Sequence, residues 1–182
     1  MFRQISFLET LFGSLPVLFM IFGLGKSSAS SGPSISTTAY KDGGMIPKKY
    51  TCDAENVSPA LAFGGIPAEA KSLVLIMDDP DAPVGTWNHW LLYDIPQATT
   101  QLEQGYKPSG NVKTGKNNFG KTNYGGPCPP KGPAHRYFSR LYALNVDSLG
   151  ISAGSDRAAI DSAMKGKVLT GFPVTYMGKY GR

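Results

Sequence analysis

Glycine and proline, spread along the whole chain, constrain its fold more than any other feature of the sequence. The 182 residues include 22 Gly and 14 Pro, and these two residue types mark the turns between short segments. The apolar runs that lie between such turns are short and β-like. Residues 73–77 form a continuous apolar run typical of a buried strand, and further strands are predicted at 87–95, 137–145 and 172–177.

Only one segment has the pattern of a convincing helix. Ser155 is a good N-cap, the apolar residues that follow it lie on one helical side, and Gly166 is placed to end the helix. Because strands dominate and are not interleaved with helices, the sequence predicts a mainly β domain. The expected architecture is an antiparallel, Greek-key-like β-sandwich with a C-terminal helix.

The first 29 residues differ from the rest of the chain. Residues 11–24 form an apolar stretch that is shorter than the roughly 20 residues a membrane span needs but matches a signal-peptide core. Small residues at Ser27 and Ala29 make a cleavage site after Ala29. We therefore expect a periplasmic or secreted protein, with an uncleaved N-terminal membrane anchor as the alternative. The predicted segments are a signal peptide (1–29), a flexible lead-in (30–38) and one folded domain (39–182).

The chain carries a formal net charge of +5. This charge allows attraction to anionic lipid or phosphate. The lysines are scattered, however, and the sequence has no basic run of the kind found in nucleic-acid-binding proteins. We therefore expect no nucleic-acid partner, and the sequence leaves a homodimer open.

An acidic, proline-rich segment follows the predicted buried strand. It reads DDPDAP at 78–83 and is followed by WNHW at 87–90, which holds one of the chain's two histidines. Proline cannot donate a hydrogen bond to a neighbouring strand. The segment therefore predicts a stiff loop that holds carboxylates where the strand reaches the surface.

A second segment, GGPCPP at 125–130, leads to the other histidine in HRY at 135–137. Its glycines expose backbone N–H groups that can point together at an anion, and its prolines fix the path of the loop. Alternation along a strand places His135 and Tyr137 on one face. Each feature taken singly also fits ordinary turn chemistry, but two such motifs in one short chain favour a binding site.

Together these motifs resemble those of the phosphatidylethanolamine-binding proteins, in the bacterial and archaeal branch often called Raf-kinase-inhibitor-like. The matching segments are DDPDAPVGTWNHW (78–90) and FGKTNYGGPCPPKGPAHRYFSRLYAL (119–144), supported by GGMIPKKYTCDAENVSP (43–59) and YGR (180–182). The resemblance runs from about Ala39 to Arg182 and implies a β-sandwich fold.

The resemblance also implies the residues of a ligand pocket. The implied ligand-binding residues are Asp79, Trp87, His89, Gly125, Gly126, Pro127, His135 and Tyr137. The residues implied to brace the pocket are Asp81, Pro83 and Arg136, with Arg136 in an ion pair with an aspartate. The Ala82–Pro83 peptide bond is expected to be cis.

A phosphate group and an ionised Asp79 repel each other, so an anion pocket needs a way to accommodate this carboxylate. Either Asp79 stays protonated, or it pairs with a histidine that then donates outward. Histidine N–H, tyrosine O–H and loop N–H groups would supply the attraction for the anion.

The expected function is that of an exported binding module for a phosphate-bearing small molecule or a phospholipid head group. We expect it not to be an enzyme, because no residue is an evident activated nucleophile, and we expect no cofactor and no metal. The alternative is a protein-interaction module with a protein partner, such as an inhibitor of a kinase or protease. A hydrolase or metalloenzyme is the third interpretation, but the spacing lacks the tight pattern of known metal sites such as His-Glu-x-x-His.

The sequence contains two cysteines, Cys52 and Cys128. An even count in an exported chain favours a disulfide between them. Such a bond would fasten the Gly-Pro segment to the segment that precedes Asn56. Two separate thiols are the alternative, because pairing requires Cα atoms within roughly 7 Å of each other.

Overall fold

The computed structural model describes residue 1 and residues 32–182. Apart from Met1, the predicted signal peptide and its cleavage site after Ala29 lie outside the described residues. Residues 32–182 form eight β-strands, one α-helix and a short 3-10 turn. In chain order these elements are β1 (Ser34–Ser36), the 3-10 turn (Lys48–Tyr50), β2 (Leu61–Gly64), β3 (Ser72–Asp79), β4 (Trp87–Pro96), β5 (Gln101–Leu102), β6 (Lys113–Thr114), β7 (His135–Leu144), α1 (Arg157–Met164) and β8 (Val174–Tyr180).

The strands form two antiparallel sheets. One has three strands in the order β1-β2-β5, and the other has five in the order β6-β4-β3-β7-β8. Phe63 and Leu102 from the smaller sheet belong to the same buried cluster as Leu75 and Leu141 from the larger sheet. The two sheets therefore pack face to face. The predicted β-sandwich with a C-terminal helix is confirmed.

Strand β3 lies at the centre of the larger sheet, and every one of its side chains is buried. Successive side chains of a strand point to opposite faces. From Leu73 to Met77 the odd-numbered residues pack against the smaller sheet, whereas the even-numbered ones form a second cluster with Ile160 of α1. The strand ends in Asp78 and Asp79, so it delivers one carboxylate to each side.

The predicted strands at 73–77, 87–95 and 137–145 correspond to β3, β4 and β7. The prediction of a flexible lead-in at 30–38 is wrong for Ser34–Ser36, which forms β1. Pairing explains the difference, because Ile35 lies opposite Phe63 of β2 and is buried.

Two element boundaries also differ from the sequence-based prediction. Strand β8 begins at Val174 rather than at residue 172, because Pro173 has no N–H to donate to the sheet. The N-cap of α1 is Asp156 rather than Ser155, and its carboxylate accepts a hydrogen bond from the Ala159 N–H at 2.9 Å. Within residues 32–182, no helix has both the length and the apolar character needed to cross a membrane.

Candidate functional site

Asp79, Trp87 and His135 lie at neighbouring ends of the strands β3, β4 and β7, at one end of the larger sheet. They border a cavity of about 170 Å³, whose wall is mostly apolar. The residues that line the cavity are Asp79, Ala82, Pro83, Val84, Trp87, His89, Phe119, Cys128, Pro129, Pro130 and His135. Four side chains predicted from the sequence to bind a ligand are thus brought into one site: Asp79, Trp87, His89 and His135.

Asp79 is only 3% exposed, and both of its carboxylate oxygens have partners. Oδ1 accepts a hydrogen bond from the backbone N–H of Asp81 at 2.8 Å, and Oδ2 lies 2.8 Å from Nδ1 of His135. Of the two arrangements expected for Asp79, the structure has the pairing with a histidine. An ionised Asp79 requires the proton on Nδ1 of His135, so Nε2 is the ring nitrogen left for the cavity.

A β-bulge in β4 turns His89 towards the cavity. Met77 of β3 pairs with Trp90, but the next residue, Asp78, pairs with Asn88. His89 is therefore an extra residue with no opposite partner in β3. Bulges of this kind redirect a side chain from the face that strict alternation would give it. The bulge explains how His89 enters the lining of the cavity.

His89 is 2% exposed, and its Nδ1 lies 2.6 Å from the carbonyl oxygen of Gly125. Because a carbonyl oxygen can only accept, Nδ1 carries the proton. Burial lowers the pKa of His89, and this effect outweighs the opposing effects of the Gly125 and Gly126 carbonyls and of the carboxylates of Asp79 and Asp78. The ring is therefore neutral at pH 7, and its Nε2 is a hydrogen-bond acceptor.

Tyr137 lies behind the cavity rather than in its lining, which differs from its predicted place. It is 1% exposed, and its ring meets the ring of His89 edge-on with centroids 5.2 Å apart. Within the described part of the chain its buried hydroxyl has no hydrogen-bond partner. Burial and then the negative charge of Asp79 raise the pKa of Tyr137. Tyr137 is therefore a neutral phenol that supports the His89 ring from behind.

The Gly125-Gly126-Pro127 segment does not line the cavity, and the prediction that its backbone N–H groups face an anion is wrong. The N–H of Gly125 donates to the carbonyl oxygen of His89 at 3.0 Å. The N–H of Gly126 donates to Oδ1 of Asn56 at 2.7 Å, and Pro127 has no N–H. Because these donors are used to join neighbouring segments, the segment positions His89 instead of contacting a ligand.

Cys52 and Cys128 form a disulfide with their Cα atoms 5.4 Å apart, so the predicted pairing is confirmed. The N–H of Cys52 also donates to the carbonyl oxygen of Pro127 at 3.1 Å. Cys128 lines the cavity. One wall of the cavity is therefore covalently attached to the segment that also holds the Gly-Pro backbone in place.

Asp81 braces the loop between β3 and β4. Its carboxylate accepts hydrogen bonds from the backbone N–H and from Nε of Arg136, both at 2.9 Å, which confirms the ion pair expected for Arg136. The side-chain hydrogen bond from Arg136 is the main cause that lowers the pKa of Asp81 to about 2. These contacts fasten the loop to the start of strand β7, beside His135.

The expected cis bond at Ala82–Pro83 is wrong. Among the described residues the cis peptide bond is Phe172–Pro173, and the loop turns by other means. The N–H of Gly85 donates to the carbonyl oxygen of Ala82 at 3.1 Å, which makes Pro83 the second residue of a β-turn. A trans proline fits this position.

Sequence analysis missed the apolar edge of the cavity. The ring of Phe119 lies edge-on to the rings of both Trp87 and His89, with centroid distances of 5.4 Å. Phe119 is 38% exposed and Val84 is 79% exposed. Both lie inside the motif segments, but apolar residues carry no chemistry of their own that would have singled them out.

The lining of the cavity has little charge of its own. Across residues 32–182, the lining contains no Lys or Arg, so its charged groups are Asp79 and, when protonated, His135. In the same part of the chain, no group of three or more His, Cys, Asp or Glu side chains is arranged to hold a metal ion. A doubly charged anion therefore finds no permanent positive charge in the cavity wall.

The chain was also compared with known proteins. A family model described as phosphatidylethanolamine-binding protein matches residues 36–179. The chain belongs to the phosphatidylethanolamine-binding protein family. A UPF0098 protein of Aquifex aeolicus is a similar member, 44% identical over 162 residues, which cover 86% of this chain and 92% of that protein. The family predicted from the motif segments is confirmed.

Solved structures related to the phosphatidylethanolamine-binding proteins have the same fold as this chain. One is a protein from Chlamydia trachomatis that is described as a homologue of phosphatidylethanolamine-binding protein. Its structure matches with a TM-score of 0.76 and 35% identity, and the match covers 83% of this chain and 98% of that protein. Escherichia coli YbcL, described as a member of the mammalian family, has a TM-score of 0.77 and 26% identity over 84% of this chain and 99% of its own. The two structures support the sandwich assignment independently of the sequence patterns.

Proposed function

We propose that the protein is an exported ligand-binding module whose cavity takes the phosphate group of a phospholipid head group or of a similar small ligand. The observation that carries this proposal is the cavity itself, in which Asp79 holds His135 beside His89. A volume of about 170 Å³ is below the range of pockets for drug-sized ligands. It suits a single head group.

The attraction for an anion comes from polar hydrogens at the cavity wall. When His135 is protonated, its Nε2–H makes a charge-assisted hydrogen bond, the stronger class of such bonds. Trp87 lines the cavity, and its buried Nε1–H has no partner among the described residues. Asp79 does not face the ligand unpaired, because both of its carboxylate oxygens have hydrogen-bond partners within the protein.

The residues that line the cavity support a role in ligand binding rather than in catalysis. Catalytic nucleophiles are activated by an adjacent base or by a lowered pKa. In the described chain, the lining offers no Ser, Thr or Lys, and the sulfur of Cys128 is held in a disulfide. Both oxygens of Asp79 are occupied by the protein's own hydrogen bonds.

Isothermal titration calorimetry with phosphorylethanolamine tests the proposed site. The His135→Ala variant should bind about ten- to a hundredfold more weakly, the effect of losing one hydrogen bond to a charged group. Lys165→Ala is the matched control, because it removes a positive charge from an exposed position outside the lining. Equal affinities of the two variants would show that the site is assigned wrongly.

The disulfide supports the proposed export, because disulfides persist mainly in oxidising compartments such as the periplasm. Mass spectrometry of the protein purified from its host's extracytoplasmic fraction should find Ser30 as the first residue. Protein that still carries Met1 in that fraction would instead support the uncleaved membrane anchor.

A protein-interaction module, such as an inhibitor of a kinase or protease, is the second candidate. It is favoured by the exposed apolar side chains of Val84 and Phe119 at the cavity edge, since exposed apolar patches mark interaction sites. A partner that docks over the cavity should be displaced by phosphorylethanolamine and lost in a Val84→Ser variant. A partner that is insensitive to both would bind elsewhere.

A further inference from the structure

The two histidines of the cavity are held by partners of different kinds. Nδ1 of His89 donates to a backbone carbonyl at 2.6 Å, so its Nε2 has no hydrogen while the ring is neutral. Nδ1 of His135 donates to the carboxylate of Asp79 at 2.8 Å. When the His135 ring carries both of its protons, Nε2 also has a hydrogen to donate. The site therefore presents an acceptor at His89 and a donor at His135.

The groups packed around His89 do not change its role as an acceptor. The carboxylate of Asp78 is neutralised by ion pairs with Arg140 and Arg157. The carboxylate of Asp79 is engaged by His135 and by the loop backbone. The remaining neighbours of the His89 ring are aromatic, Phe119 at its edge and Tyr137 behind it. Burial lowers the pKa of His89 more than the hydrogen bond to Gly125 and the carboxylates of Asp79 and Asp78 raise it.

The charged groups near His135 come from three elements. Asp79 belongs to β3, Asp81 to the loop that follows it, and Arg136 is the next residue in β7. Asp81 and Arg136 are paired with each other, which leaves Asp79 as the direct partner of His135. Across β7, Tyr180 of β8 lies opposite His135 in the sheet register and adds no charge.

Resting on the proposed function, we propose that the cavity selects a phosphate group that still carries one proton as P–OH. In a singly charged phosphomonoester the P–OH donates to Nε2 of His89, and another phosphate oxygen accepts from Nε2–H of His135. Sulfate and a phosphodiester are anions without such a proton at neutral pH. Each would place an oxygen lone pair against the lone pair of His89, which leaves a buried acceptor unsatisfied. The preferred ligand class is therefore a free phosphomonoester rather than the diester of an intact phospholipid.

Three probes separate these sources of the same head-group chemistry. Phosphorylethanolamine is a monoester, glycerophosphorylethanolamine is a diester with the same amine, and inorganic sulfate lacks both the amine and the proton. Calorimetry on the mature protein is performed at about pH 5.5 and about pH 7.5, on either side of the second ionisation of phosphomonoesters at about pH 6. At the lower pH the monoester should bind at least about tenfold more tightly than the diester or sulfate, the effect of one hydrogen bond to an ion.

The ratio of monoester to diester affinity is the decisive quantity, because the diester has no proton to donate at either pH whereas the monoester loses its proton between them. This ratio should fall as the pH rises, since the doubly charged monoester has lost the proton that His89 accepts. If the diester or sulfate binds as tightly as the monoester at the lower pH, this inference is wrong but the proposed function still stands. If none of the three probes binds at either pH, the proposed function falls together with the inference.

Two variants assign the preference to a residue. His89→Gln places an amide, which both donates and accepts, at the selecting position, so the three probes should bind with similar affinities. His135→Ala should weaken all three without changing the ratio of monoester to diester. Circular dichroism checks the fold of each variant. If His89→Gln does not fold, the comparison of probes on the unmodified protein still decides the question.

Discussion

Asp78 and Asp79 are adjacent in β3, but strand alternation sends one carboxylate towards α1 and the other to the cavity. Asp78 forms ion pairs with Arg140 and Arg157, two groups that stay charged at every physiological pH. Asp79 pairs with a histidine, His135, and not with an arginine. The comparison shows that one buried strand end can hold an arginine ion-pair cluster on one face of the sheet and a histidine-containing cavity on the other.

The surroundings of the two carboxylates differ in the same way. On the Asp78 side, regular elements pack around a second apolar cluster that includes Ile160 of α1. On the Asp79 side, the cavity wall is built largely from loops, held by the disulfide of Cys128 and by side chain to backbone hydrogen bonds. The helix side therefore depends on packing and ion pairs, and the cavity side depends on cross-links between loops.

Removing the disulfide should have the largest effect and should separate the two sides. The chain-entropy model gives about 4–5 kcal/mol for a loop of this length, so the double variant Cys52→Ser, Cys128→Ser should lose up to about that much stability in urea unfolding. Hydrogen exchange should accelerate at the Gly125 and Gly126 amides more than at Ile160. A uniform acceleration at all three amides would break the proposed contrast between the two sides.

The variants Asp78→Asn and Asp79→Asn should differ in which property they lose, stability in the first and ligand binding in the second. Asp78→Asn leaves Arg140 without its counter-charge and removes one of the two carboxylates paired with Arg157, which keeps Asp161. It should cost about 2–3 kcal/mol of stability. Asp79→Asn should cost about 1 kcal/mol, that of one hydrogen bond, but should weaken phosphorylethanolamine binding more than Asp78→Asn does. Urea unfolding and calorimetry on both proteins measure this. Equal losses of stability and affinity in the two variants would contradict the division of roles.

The smallest expected effect is a pH dependence of stability that belongs to the cavity side. Because burial lowers the pKa of His89, the unfolded chain binds a proton at about pH 6.5 that the folded chain does not. The contribution of His89 to stability is therefore complete above about pH 6.5 and is lost as the pH falls below it. On acidification the melting temperature of the unmodified protein should drop more than that of His89→Gln. Parallel curves for the two proteins would contradict this assignment.

Much of the fold was predictable because β3, β4 and β7 carry long apolar runs bounded by turn residues. The pair Asp79 and His135 was also within reach, because each lies at the end of such a strand. Strand β1 was not predictable in the same way. Ser34–Ser36 has little apolar character, and its structure comes from pairing with β2, a long-range interaction that local sequence does not encode.

The site was less predictable in its details than in its composition. The bulge that redirects His89 depends on the register between β3 and β4, which periodicity within either strand does not reveal. The Gly125 and Gly126 N–H groups looked available because sequence shows donors but not their partners. The side chain of Asn56 and the backbone of His89 take up these donors, and both are distant in sequence.

The disulfide also bears on how the site is made during synthesis. The two cysteines are 76 positions apart, and β2 to β6 lie between them in the chain. Cys52 is therefore a free thiol until most of both sheets has been synthesised. Because the chain has two cysteines, one intramolecular pairing exists, and no scrambled isomer has to be corrected. We therefore expect an oxidant alone, without a disulfide isomerase, to be sufficient to complete the cavity wall.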